Sequence, residues 1–164
     1  MPNVKNGFHY TPTEITKELL KDIDFNDNDK VLETCRGGGA FYDELPDNII
    51  KEWCEIDMGR DFFKWNQKVD ISIANPPYRI EVDGERKNII IKWMEHQFSI
   101  TTKECWYLFN SKMFNSLTPI RLNRWKDLGW NISFIRILNI KKWYGRYYWV
   151  CFSKVKPSII NFSL

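Results

Sequence analysis

Two consecutive prolines close the apolar run Val69-Asp70-Ile71-Ser72-Ile73-Ala74, in the sequence Asn75-Pro76-Pro77-Tyr78. Each proline fixes its own φ and drives the residue before it into an extended conformation. Asn75 and Pro76 therefore cannot be helical, and Pro77 has no backbone donor. The run reads as a strand that stops at a rigid corner rimmed by acceptors, the Asn75 side-chain oxygen and the Pro76 carbonyl. Each can take a hydrogen bond from an NH2 group, drawing its lone pair out of conjugation and making the nitrogen a nucleophile. Tyr78, directly beyond, can lie flat against a planar ring.

A second constraint lies upstream. Lys30-Val31-Leu32-Glu33-Thr34-Cys35-Arg36-Gly37-Gly38-Gly39-Ala40-Phe41 reads as a short strand, a glycine-rich turn and the start of a helix, the opening of a doubly wound α/β fold. The glycines let the backbone approach a ligand closely, and Glu33, where the strand ends, is placed to hold an ammonium group. A second strand is expected over Ile49 to Asp57, with an acid at its tip to accept from ribose hydroxyls, Glu55 in the first place and Asp57 in the second. Arg60-Asp61-Phe62-Phe63 then supplies an acid for an adenine amino group and an aromatic for the adenine face.

Thr11-Pro12 ahead of a helix, the glycine loop with Glu33, the Glu55-Ile56-Asp57 tip, Asp61-Phe62 and Asn75-Pro76-Pro77-Tyr78 follow one another in an order that resembles the N6-adenine DNA methyltransferases. The resemblance implies an α/β, Rossmann-like fold with a mostly parallel seven-stranded sheet and a C-terminal antiparallel hairpin, and S-adenosylmethionine as cofactor. It implies catalytic roles for Asn75, Pro76, Pro77 and Tyr78, and cofactor contacts from Thr11, Glu33, Cys35, Gly37, Gly39, Glu55, Ile56, Asp61, Phe62 and Asn75. Thr11 would close over the methionyl carboxylate. Thr13 or Thr11 also caps a helix over Glu14 to Lys21, with Ile15, Leu19 and Leu20 on one face. The chain departs from the family between Glu55 and Asp61, where too few residues remain for a crossover helix. Either that helix is deleted and the third strand follows a tight Met58-Gly59 turn, or one of the acids is misassigned.

The downstream half reads as the rest of the sheet. A helix is expected over Asn88 to Phe98, a strand over Glu104 to Phe109, a helix over Pro119 to Leu128, and strands over Ile132 to Leu138 and Tyr147 to Phe152. Arg79 to Lys87, with Asp83-Gly84 as its turn, is expected to be a mobile loop over the target. At 164 residues and 43% hydrophobic content the chain supports one domain, with no separate target-recognition domain.

Charge divides the chain. Up to Tyr78 there are 9 basic and 15 acidic residues; from Arg79 onward there are 15 and 6. Beyond Gly129 no acid occurs, and Arg136, Lys141, Lys142, Arg146, Lys154 and Lys156 interleave with Trp130, Phe134, Trp143, Tyr144, Tyr147, Tyr148 and Trp149. Basic residues among aromatics suit a phosphate-tracking surface, with Arg79, Arg86, Lys87, Lys141, Lys142, Trp143, Tyr144 and Arg146 as its expected contacts. The family resemblance makes Trp143 or Tyr144 the second wall of a sandwich around a flipped adenine; hairpin packing is the alternative role for both.

No stretch reaches membrane-spanning length, and Cys35, Cys54, Cys105 and Cys151 show no close pairing, which fits free thiols in the cytoplasm of a bacterium or a virus-infected host. His9 and His96 are too few for a zinc cluster and are read as structural. Nucleic acid, DNA first, is the expected partner, with a recognition subunit or a second copy of the chain as further partners. Three rival readings remain: an RNA adenine methyltransferase, a protein-glutamine methyltransferase, and a cofactor-binding subunit active only with a partner.

Overall fold

The computed structural model describes residues 11–82, 85–141, 143 and 145–160. Helix α1 (Thr13–Leu20) precedes β1 (Lys30–Glu33), β2 (Ile50–Trp53) and β3 (Val69–Ala74). A separate ribbon of β4 (Arg79–Val82) and β5 (Glu85–Asn88) follows. Then come α2 (Ile90–Ile100), β6 (Thr101–Asn110), α3 (Pro119–Asp127), β7 (Asn131–Leu138) and β8 (Tyr147–Ser153). The main sheet has six strands in the order β2-β1-β3-β6-β8-β7, not the seven expected. β1, β2, β3 and β6 pair in parallel, and β8 runs antiparallel to both β6 and β7.

The strand count differs because the segment between β2 and β3 is short. Glu55 and Arg60 form one isolated antiparallel bridge around Gly59, whose φ is 77°, and two 3-10 turns, Ile56–Met58 and Phe62–Lys64, carry the chain on to β3. The crossover helix is absent from this segment, and no third strand forms in it. The Arg60 guanidinium lies 4.2 Å from the Trp53 ring centroid and pairs with Glu52 at 2.9 Å, so polar side chains cover the open edge of β2. The helix expected after the glycines also shrinks, to a 3-10 turn at Tyr42–Glu44. Pro46 explains it: Leu45, the residue before the proline, is forced extended at φ −63°, ψ 143°.

Strand alternation divides the core between the two sheet faces. Trp106 and Leu108 of β6, with Trp149 and Cys151 of β8, join Leu19, Val31, Ile71 and Ile73 under α1. Cys105, Tyr107 and Phe109, with Val150 and Phe152, face α2 and α3 together with Met94, Phe98 and Trp125. A third cluster, Leu32, Phe62, Val69 and Trp93, sits near β1. Trp149 and Trp130 are thus buried (0% and 3% exposed) and form no part of an aromatic surface. Arg136 pairs with Asp22, and Lys156 with Glu104 and Asp24, so these two cations are held by acids of the first half and of β6.

Candidate active site

A cleft opens at the carboxyl ends of β1 and β3, beside the residues that follow β2, where open α/β sheets bind ligands. Thr11, Glu33, Cys35, Gly37, Glu55 and Asn75 line it, as does Pro77 of the proline corner. Arg36, Gly38, Ala40 and Phe41 line it too and were missed in the sequence, where only the glycines signalled the loop. The cleft is small and partly open, with an inner volume of about 60 Å³.

Glu55 ties the glycine loop to the end of β2. Its Oε2 accepts from the Gly37 N–H at 2.6 Å, and its Oε1 from the Asp57 N–H at 3.3 Å. Asp57 itself is exposed and does not line the cleft. Gly39, also outside the lining, has φ +87°, and a Cβ there would stand 2.8 Å from Asp43 Oδ2 and 2.9 Å from Arg36 Nη2. The missing side chain makes room for the Arg36–Asp43 ion pair, 3.2 Å long. That pair holds the Arg36 guanidinium between the rings of Tyr42 and Trp53, with centroids at 5.3 and 5.5 Å. Arg36 Nε is buried and has no hydrogen-bond partner among the described residues.

Glu33 is 2% exposed, and its Oε2 accepts from the Tyr42 N–H at 2.9 Å. Burial pushes its carboxyl up to about 8, a rise that the Tyr42 amide and the Arg36 charge only moderate and that Asp43 reinforces. Glu33 is thus a buried acid, protonated at neutral pH, at the wall of the cleft. Burial also raises the Cys35 thiol beside it, which makes Cys35 a packing group and not a nucleophile.

At the corner, Asn75 Nδ2 donates to Thr11 Oγ1 at 3.2 Å. The threonine expected as a helix cap is used here instead: the N-cap of α1 is Pro12, with no side-chain cap, and Thr11 packs against the catalytic candidate. The Tyr78 hydroxyl accepts from the Asn110 N–H at 2.7 Å, which anchors the ring between the corner and the end of β6. Phe62 is 3% exposed and packs against Trp93 at 4.5 Å, while Asp61 accepts from the Phe63 N–H at 3.0 Å. Ile56 is 68% exposed. The cleft lining includes none of these three, and His96 contacts the Phe62 carbonyl at 3.0 Å.

Near Tyr78 stand Arg79, Lys87 and Arg146, all exposed and without an ion pair among the described residues, together with Lys112, which the sequence reading overlooked; Lys141, between β7 and β8, is exposed and without an ion pair among the described residues as well. Lys112 lies two residues beyond Asn110, and Arg146 reaches the same place because its carbonyl accepts from the Ser111 N–H at 3.2 Å. Trp143 packs against Tyr147, centroids 4.6 Å apart, on the α1 side of the sheet, whereas Tyr78 packs on the α2 side. The structure therefore does not bring Trp143 face to face with Tyr78. Lys142, Tyr144, His9 and the Asp83-Gly84 turn lie outside the described residues, and of Arg86 only the strand position is described.

A scan against models of known protein families finds no match, and a search of curated proteins finds none. Solved structures do match. A Listeria monocytogenes protein assigned to the class I S-adenosylmethionine-dependent methyltransferases superposes with a TM-score of 0.72 over 98% of this chain, at 13% identity. The fold is that of the S-adenosylmethionine-dependent methyltransferases. This chain spans 65% of the Listeria protein's length. A 23S rRNA methyltransferase matches with a TM-score of 0.67 and 11% identity, over 92% of this chain and 72% of that one. A Vibrio vulnificus protein assigned as the modification subunit of a type I restriction enzyme gives 0.66 and 12%, over 95% and 46%. On this methyltransferase fold the cleft at Glu33, Glu55 and Asn75 occupies the carboxyl edge of the parallel strands, and the β4–β5 ribbon adjoins it directly. The four cysteines are free, and no helix among the described residues is long and apolar enough to cross a membrane.

Proposed function

We propose that this chain transfers the methyl group of S-adenosylmethionine to the N6 amino group of adenine in DNA. One observation carries the reading: Asn75 and Pro77 of the proline corner share a cleft with the carboxyl groups of Glu33 and Glu55. The residues fit the cofactor's chemistry. Glu33 would take its ammonium, Arg36 of the cleft lining its carboxylate, and Glu55, whose oxygens keep lone pairs beyond the two backbone bonds they accept, a ribose hydroxyl. When bound, the cofactor supplies an electrophilic methyl on a sulfonium.

The target nitrogen becomes nucleophilic when the Asn75 side-chain oxygen and the Pro76 carbonyl accept from its two N–H bonds. Tyr78, anchored through its hydroxyl, offers a ring for the adenine to rest on. A duplex hides N6, so the base must leave the stack at a cost of a few kcal/mol, offset by that stacking. The surplus proton on the methylated amine leaves to solvent, and no general base is required. Lys112 and Arg146 supply phosphate contacts at this edge.

The test is transfer of labelled methyl to matched duplex DNA, single-stranded DNA and RNA, with nucleoside analysis and with Asn75→Ala and Glu55→Ala as controls. N6-methyladenine in DNA, lost in both variants, is the expected result. Transfer to RNA alone, or to a protein amide, would reassign the substrate. Cofactor binding with no transfer would point to dependence on a partner.

A further inference from the structure

Between the proline corner and α2 the chain forms a two-stranded antiparallel ribbon in place of the expected mobile loop. Arg79 pairs with Asn88, Ile80 with Lys87, Glu81 with Arg86 and Val82 with Glu85, and among the described residues the ribbon belongs to no other sheet. Its root is fixed at the catalytic candidate. The Ile89 N–H donates to the Tyr78 carbonyl at 3.1 Å, and Ile80 packs on the cluster that holds Leu32, Phe62 and Trp93. The Asn88 side chain accepts from the Ile90 N–H at 3.1 Å and so joins the ribbon's second strand to the first turn of α2. A base resting on Tyr78 is thus in fixed register with the ribbon.

The ribbon's composition differs from that of its surroundings. Residues 79 to 88 carry three basic and three acidic residues, whereas Lys112 and Arg146, beside the Asn110–Tyr78 contact at its root, are both cationic. Unpaired cations position a protein on phosphates; a balanced set of donors and acceptors matches base edges, where guanidinium groups and carboxylates recognise different bases. The shape fits as well. The major groove of B-form DNA, about 12 Å wide, admits a two-stranded ribbon, while the major groove of an A-form RNA helix is too narrow for side chains to read. Four residues per strand extend about 13 Å at roughly 3.3 Å each, the rise of about four base pairs.

Resting on the adenine-methyltransferase reading above, we infer that the β4–β5 ribbon is this chain's sequence reader: it enters the major groove of duplex DNA and selects bases within about four pairs of the target, on one side of it.

The test uses the full chain with S-adenosylmethionine and a duplex library containing adenine in every local context, and maps methylated sites by sequencing. Wild type is expected to favour a short one-sided context and to prefer the duplex over the same sequence single-stranded. Arg79→Ala, and separately a ribbon with Arg79→Gln, Arg86→Gln and Lys87→Gln, should alter the preference at one or more flanking positions by about tenfold. Both should leave cofactor affinity unchanged, whereas Lys112→Ala should slow all contexts alike. DNA methylation whose context preference is unmoved by either ribbon variant, or which is equal on single strands, overturns the ribbon's role alone. Cofactor binding without transfer to any nucleic acid overturns the parent reading and the ribbon's role with it.

Discussion

Replacing Glu33 with glutamine should stabilise the fold while weakening cofactor binding. In the unfolded chain Glu33 titrates at its ordinary 4.5; in the fold, burial raises it to about 8. Its folded state is therefore protonated while the unfolded chain is ionised, and stability falls as pH rises from 4.5 to 8, then levels. At pH 7 the cost corresponds to roughly 3 kcal/mol, at pH 5 to under about 1 kcal/mol. Glu33→Gln keeps an oxygen for the Tyr42 N–H and removes the titration. For a chain of this length the variant should melt about 6–12 °C higher than wild type at pH 7. Melting curves of both proteins from pH 5 to 8.5 measure this; an advantage that does not grow with pH would refute the reasoning. The same variant should bind S-adenosylmethionine about 10- to 100-fold more weakly, because a charge-assisted bond to an ammonium is lost. Wild-type affinity should rise between pH 6 and 7.5, because Glu33 must release its proton to solvent to pair with the cation, and the variant's should not.

Arg36→Met should weaken S-adenosylmethionine binding about 10- to 100-fold but leave a decarboxylated analogue nearly unaffected, a contrast that calorimetry reads directly. Gly39→Ala should destabilise the fold by at least about 1–2 kcal/mol in denaturant titrations, because its left-handed φ strains any Cβ and that Cβ would meet Asp43 and Arg36. Lys112→Ala and Arg146→Ala should each weaken duplex binding across all sequences and lower the salt dependence by about one counterion, as measured by anisotropy at several salt concentrations.

The sequence by itself determined the α/β architecture and the elements that carry its periodicity. β3 occupies Val69–Ala74 as expected, because an apolar run that ends in two prolines can only be a strand with a fixed end. β6, β7 and β8 fall on the expected stretches for the same local reason. Tertiary structure decided what local pattern cannot express. The Glu55–Arg60 bridge replaced the third strand, which left β2 at the sheet's edge, whereas the shortening of the first crossover helix is legible locally in Leu45-Pro46. Only the packing of the two sheet faces removed Trp130 and Trp149 from the surface, since aromatic residues look alike in sequence whether they fill a core or meet a ligand. Likewise, the acidic partners of Arg136 and Lys156 lie far away in the chain, at Asp22, Asp24 and Glu104. Which cations near Tyr78 have no ion pair among the described residues, and that Arg36 Nε is buried with no hydrogen-bond partner among them, follow from pairings between distant residues, which residue order alone does not contain.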